Sequence, residues 1–397
     1  MSDITVSNDV DNLLKSNNKE AIRESAGLGA SDTVEFGGLV TPAGTKAEID
    51  ALAQAAGGSA GELQIMSDNR KLVSFASTSA YSYIGGLNSA SVIHVDATGT
   101  ASENGQLLVD AYQAACSLTP NGNALSVNNR SVVAVGCGVY ALSQELEFNT
   151  DFVDIIGLSN NTQGNTFSVK FNVRIEGNIN VTASDVYLNG LHATGALYCG
   201  TAATQTFVGC VGGSNSFSTK LGGGVIQGTF INCRGGSNSF AHQEEAAGVY
   251  TDCLGEINSF GAPSGTASGT FTRCTAGPYS FGGAGVASGT FVDCTSNGVG
   301  GFGGIDSSFN VGTASGTFIR CQCTGGDAFG GFGGVASGIF RNCVAGLGAG
   351  GSFAPSGTVT GKFSHCIMVS GTFPAVTGSG KMRMCLEEAT MTEINQG

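Results

Sequence analysis

Tryptophan is absent from the 397 residues, and charged side chains make up only 12% of them. Sugar-binding sites commonly offer aromatic faces, so the missing Trp removes one usual platform. Charge is too sparse, and the sequence too regular, for a disordered chain. No apolar run reaches 18 residues, so no membrane insertion is expected. The start, Met1-Ser-Asp-Ile-Thr5, is polar and lacks the form of a signal peptide, so synthesis in a cytoplasm is expected. The four histidines, at 94, 192, 242 and 365, include no pair at ligand spacing, and no metal or cofactor is expected.

The net charge of −13 is placed unevenly. Residues 1–199 carry 9 Lys+Arg against 20 Asp+Glu, whereas residues 200–385 carry 8 against 7. The second half is therefore almost neutral, and nothing forms a basic patch for nucleic acid.

What is abundant is a phrase. Gly-x-Phe-x-x-Cys runs through Phe230 and Cys233, Tyr250 and Cys253, Phe271 and Cys274, and Phe291 and Cys294. It continues through Phe318 and Cys321, Phe340 and Cys343, and Phe363 and Cys366. Weaker copies flank it at Phe207 with Cys210 and at Met382 with Cys385. A second aromatic mark follows each cysteine, at Phe217, Phe240, Phe260, Phe281, Phe302, Phe329, Phe353 and Phe373. The cysteine-to-cysteine step is 19 to 27 residues.

A unit of that length cannot bury its apolar side alone, so its copies must stack. Each holds short β-rich pieces with Gly and Ser, and nothing long enough for a helix. The expected fold is mainly β: a parallel β-solenoid with one turn per repeat and rungs about 4.8 Å apart. Each Phe should stack on the next Phe, and each Cys on the next Cys. Phe-x-x-Cys breaks strict alternation, so a bend must let both side chains point inward; its position is not legible. Nine of the 13 cysteines occupy the ladder position, which suits packed, reduced thiols, with some bridging as the alternative. Cys321 and Cys323 read as packing rather than metal ligands.

Taken in order, residues 1–60 suggest two small helices. The boxes Asn17-x-x-Glu20 and Thr45-x-x-Glu48 open them, and Gly27 and Gly57-Gly58 close them. The stretch Leu13 to Gly29 resembles a segment near the start of bacteriophage tail-fibre proteins, where a capped Ala/Arg-rich helix runs into a Leu-Gly-Leu-Gly-like end. This copy departs from it at Ser25-Ala26-Gly27 and in its extra Glu. Residues 61–90 alternate around Leu63, Ile65, Leu72, Val73, Phe75, Tyr81, Tyr83 and Ile84, which suggests two or three short strands. They resemble the β-hairpin modules that join fibre attachment regions to shafts.

From residue 91 the pattern changes. Val92-Ile-His-Val-Asp96 precedes a helix expected over 104–116, with Leu107, Leu108, Ala111, Tyr112 and Ala115 as its apolar face. Gly138-Val-Tyr140 and Val153-Asp-Ile155-Ile-Gly157 follow, and Val186-Tyr-Leu188-Asn-Gly190 repeats the last phrase. This succession resembles the opening turns of right-handed β-helices of the pectate-lyase-like superfamily. The resemblance implies a β-helix over 91–385, with the helix covering its first turn, and a polar tail over 386–397. It leaves activity open, because this fold hosts lyases, hydrolases and inert shafts.

Glycan cleavage needs carboxylates on a shared face. The candidate acids are Glu244, Glu245, Asp252 and Asp293, with Glu256, Asp306 and Asp327 also in the ladder. Asp252 and Asp293 share a repeat position with Arg273 between them, as either an acid/base cluster or a charge-balanced outer face. His242 beside Glu244 and Glu245 is either a site or a solvated turn. Asp151, Asp154 and Asp185 precede like phrases, which favours a turn role. The recurring Ala-Ser-Gly-Thr at 267–270, 287–290 and 314–317 suggests a flat outer face for packing copies around a threefold axis; tight turns are the alternative.

These readings converge on a virion-attached phage tail protein, a homotrimer by resemblance, that binds host surface glycan or extends the adsorption apparatus. Its expected partners are other tail or baseplate proteins through the N-terminus and a host polysaccharide or receptor. A tailspike-like depolymerase and a capsid-decorating or surface adhesin protein are the rivals.

Overall fold

Short β-branched and aromatic triplets punctuated by Gly and Asn can pair only with their own repeats, and they do. The computed structural model describes residues 63–65, 72–77, 80–83, 91–158, 173–305, 310–331, 333–346, 353–354, 356–369, 373, 375–387 and 392–396. The two helices expected within 1–60, and Asp306 among the acids, lie outside the described residues. The chain divides into two compact units, residues 1–86 and 87–397.

In the first unit, β1 (Leu63–Ile65), β2 (Leu72–Ser77) and β3 (Ala80–Tyr83) form one antiparallel sheet in that order. The β2–β3 register shifts between Phe75 and Ser77.

The second unit is a parallel β-solenoid of about 10 turns. It opens with β4 (Val92–Val95) and the helix α1 (Ala101–Cys116). The helix starts three residues before the expected Asn104, because Thr100 and Glu103 form a capping box. The Thr100 N–H donates to Glu103 Oε2 at 2.7 Å. Asn104 is instead buried, and its amide donates to the carbonyls of Gly99 and Val139. A side chain at Gly105 would sit 1.9 Å from the Ala141 carbonyl oxygen, so the helix lies directly on the strand Gly138–Ala141. Leu108, Ala111, Tyr112 and Ala115 face the core as expected, with Leu107 only partly buried.

Each turn has four short faces. The first begins with Ser131–Val135 and Val153–Gly157 and continues into the Thr-Phe-x triplets. Its register sets Phe207 on Phe230, then Tyr250, Phe271, Phe291, Phe318, Phe340, Phe363 and Met382. The bend that the sequence left unplaced falls on the residue before each cysteine. Asn232, Asp252, Arg273, Asp293, Arg320, Asn342 and His365 all have φ between +52° and +56°. Strict alternation would turn the cysteine, three residues after Phe, outward; one left-handed residue between them reverses this, so Phe and Cys both point inside.

The second face follows the cysteine and the third carries the other Phe mark. The fourth runs from Val225–Ile226 to Thr358–Val359 as seven parallel strands. Within Ala-Ser-Gly-Thr the Ala of each copy (Ala267, Ala287, Ala314) is fully buried and points inward, whereas Thr270, Ser288, Thr290 and Ser315 are exposed, so only part of the phrase faces outward. A Cβ at Gly248, Gly269, Gly289, Gly316 or Gly338 would meet the carbonyl oxygen of the preceding glycine at 2.2 Å. Successive corners stack backbone on backbone, and only glycine fits.

Two columns of rings fill the core. In the Phe207 column neighbouring centroids lie 4.5–5.1 Å apart with planes within 4°. The Phe217 column stacks likewise, and the two columns meet edge to face at 74–90°. The rung spacing imposes the stacking within a column, and the crossing supplies the favourable edge-to-face electrostatics. Each buried ring contributes roughly 1.5–3 kcal/mol of transfer free energy. Beside them, the nine ladder cysteines are buried, and all 13 cysteines are free thiols. The last turn, Lys381–Glu387, pairs antiparallel with Thr392–Gln396, so the polar tail covers the end of the sheet.

Candidate functional site

The four candidate acids sit in three different settings. Glu244 is buried, and its carboxylate accepts from the Thr219 N–H at 3.1 Å, the Gly224 N–H at 3.3 Å and the Thr219 hydroxyl. It ties both ends of the 219–224 loop. Glu245, the next residue, begins the strand Glu245–Ala246 and accepts from Ser268 Oγ at 2.5 Å on the following turn. The two carboxylates thus bond to different turns, Glu244 to the 219–224 loop before it and Glu245 to Ser268 after it. His242 beside them has its ring nitrogen Nδ1 buried without a hydrogen bond, and burial pushes its pKa down.

Asp252 and Asp293 occupy left-handed corner positions on turns separated by Arg273. Asp252 is gripped by Arg273 and Asp293 by Arg320, each through two hydrogen bonds of 2.6–2.8 Å. The guanidinium of Arg320 holds the Asp293 carboxyl below the usual carboxylate range. The corner row therefore alternates in sign, and each acid has its partner on the next turn.

A second cluster closes the first turns. Arg130 reaches Asp154 at 2.6 Å and Asp185 at 2.8 Å, with its guanidinium 5.5 Å from the Phe152 ring centre. Asp154, then burial and Asp185, decide its protonation, and the net effect pushes the Arg130 pKa up. Asp151 accepts from the Ser184 and Asp185 N–H groups. These three acids hold turns together.

A concavity lies elsewhere. A groove of about 770 Å³ opens between the outer side of α1 and residues 143–150. Val109 and Leu146 are among its apolar lining residues, and Gln106, Gln113, Glu145 and Glu147 among its polar ones. Tyr112 fixes the two sides to each other: its hydroxyl accepts from the N–H groups of Asn149 at 2.7 Å and Thr150 at 3.0 Å. Its ring packs against Phe148 at 4.9 Å, and burial pushes the phenol up to about 12. Lys220 bonds Glu145 at 2.5 Å across one end. The two sides of the groove are 27 or more residues apart in sequence, so no local pattern joins them. The spacing of Gln106, Val109, Gln113 and Cys116 along one side of α1 was the available signal.

Among the described residues, no three His, Cys, Asp or Glu side chains are grouped to hold a metal ion. No helix among them is long and apolar enough to cross a membrane. No protein-family model and no curated protein sequence matches this chain. Among solved structures, ORF18 of Geobacillus virus E2 is similar at 11% identity, over 87% of this chain and 74% of that one, with a TM-score of 0.32.

Proposed function

We propose that this chain is a structural phage tail protein of the tail-fibre or receptor-binding kind, carried on the virion after synthesis in the host cytoplasm. In this reading residues 1–60 attach to a tail or baseplate protein and residues 61–90 form a neck. The solenoid is then a stiff body, assembled as a homotrimer, that meets a host surface polysaccharide or extends the adsorption apparatus.

The observation that carries this reading is the continuous core of stacked rings and thiols. About 10 turns at a rung spacing of roughly 4.8 Å make a rod near 50 Å long. Such a core gives length and rigidity and needs no cofactor. The candidate acids support the same reading, since Glu244, Asp252 and Asp293 are each engaged in holding a turn to its neighbour.

The test is the solution mass of the purified chain, followed by incubation with bacterial surface polysaccharides. A mass three times 39.8 kDa together with polysaccharide binding is the expected result. A stable monomer that binds no polysaccharide overturns the proposal. Release of oligosaccharide, lost in Glu245→Gln, would assign the depolymerase activity instead.

A further inference from the structure

We propose that the groove between α1 and residues 143–150 binds a neutral oligosaccharide. This rests on the glycan-binding reading above and gives it a location that the repeat itself does not offer.

The geometry separates structural from spare residues. Capping the first turn uses the buried side of α1, namely Leu108, Ala111, Tyr112 and Ala115. Gln106 and Gln113 are seven residues apart, two helical turns, and so share the outer side. Opposite them, Leu146–Phe148 is a strand whose Leu146 and Phe148 are buried. Alternation therefore turns Glu145, Glu147 and Asn149 outward. Polar Gln106, Gln113, Glu145 and Glu147 line the groove together with apolar Val109 and Leu146.

That chemistry matches sugar. Side-chain amides donate and accept, carboxylates accept, and sugar hydroxyls do both. The apolar lining suits the C–H side of a pyranose ring. Glu145 and Glu147 line the groove and no Lys or Arg does, which disfavours an acidic polymer. The site is also already formed. Tyr112 pins residues 149–150 to the helix, and Asn104 and Gly105 fix the helix to the first turns. Little ordering remains to oppose binding. A volume of about 770 Å³ falls in the range of ligand pockets and is ample for two or three sugar rings.

The experiment uses the full chain on an array of neutral and acidic bacterial oligosaccharides, with calorimetric titration of each ligand that binds. Two variants accompany the wild type: Gln113→Ala with Glu147→Gln, which removes exposed polar lining groups, and Val109→Trp, which fills the groove. Circular dichroism checks that both remain folded. The expected result is binding of a neutral oligosaccharide, weakened at least about tenfold in both variants. Undiminished binding in both variants overturns the groove while leaving the glycan-binding reading intact. Binding confined to acidic oligosaccharides overturns the ligand class. If the wild type binds nothing on the array, both readings fall together.

Discussion

Arg273 grips Asp252 from one turn further along the solenoid, Nε to Oδ1 and Nη2 to Oδ2, both at 2.7 Å. Arg320 does the same to Asp293. Asn232, Asn342 and His365 fill the same corner position on other turns, with the same left-handed backbone. The backbone, not the charge, defines the corner.

Asp293→Asn is therefore expected to change the thermal midpoint at pH 7 by no more than about 2 °C, because exposed ion pairs contribute little. The sign of its pH dependence is fixed. Arg320 lowers the Asp293 pKa, so the pair stabilises above the ordinary carboxylate range. That contribution disappears as pH falls through the lowered value. Unfolding midpoints of wild type and variant should converge in acid; a gap that widens there would contradict the assignment.

Tyr250 is the one tyrosine in the Phe207 column, fully buried, and its hydroxyl has no hydrogen-bond partner. Burial pushes its pKa well up. Tyr250→Phe removes the orphaned hydroxyl and keeps the ring stack. The variant should be more stable by about 1 kcal/mol, read as a raised midpoint in urea or heat. A drop in stability would mean that the hydroxyl has a favourable contact.

Gly289 and Ser288 are neighbours with opposite tolerance. A methyl group on Gly289 would lie 2.2 Å from the Gly269 carbonyl oxygen, whereas Ser288 is exposed. Gly289→Ala should cost about 3 kcal/mol or more through forced separation of two turns. Ser288→Ala should stay within about 0.5 kcal/mol. Comparable melting curves for the two variants would refute the stacked-corner account.

The thiols offer a direct reading of the ladder. Cys137 is exposed, Cys116 half-buried and the other eleven buried. Burial pushes thiols such as Cys233 and Cys253 well up, away from the reactive thiolate. Ladder thiols also donate to the backbone, as Cys233 does to the Phe207 carbonyl at 3.3 Å and Cys294 to that of Phe271 at 3.4 Å. A thiol reagent should modify Cys137 rapidly, Cys116 slowly, and all 13 only after denaturation. Fewer than 13 titratable thiols in denaturant would reveal bridging.

Glu244 anchors a loop whose tip, Leu221, is 95% exposed next to Lys220. Glu244→Gln replaces one accepting oxygen with a donor. Trypsin should then cut after Lys220 several-fold faster, seen as two fragments on a gel. An unchanged cleavage rate would deny the anchor.

The repeat was legible because it is a one-dimensional code. Phe230, Tyr250, Phe271 and Phe291 recur at the step of one turn, so stacking follows from spacing alone, and Cys233 to Cys366 follow with them. The sequence by itself thus determined the β-solenoid, its ring and thiol ladders, and the helix at its opening. It could not place the bend before each cysteine, because Asn, Asp, Arg and His all serve there, and only the paired backbone of the next turn selects the left-handed conformation. It could not separate the inward Ala and Gly of Ala267-Ser-Gly-Thr270 from the exposed Thr270, because small residues look alike whether they face solvent or a neighbouring carbonyl. The partners of Glu244, and the groove beside Tyr112, were decided by tertiary structure alone. Each depends on groups from different turns or from a helix and a distant strand, and distances of that kind are set by the winding of the chain, not by its local pattern.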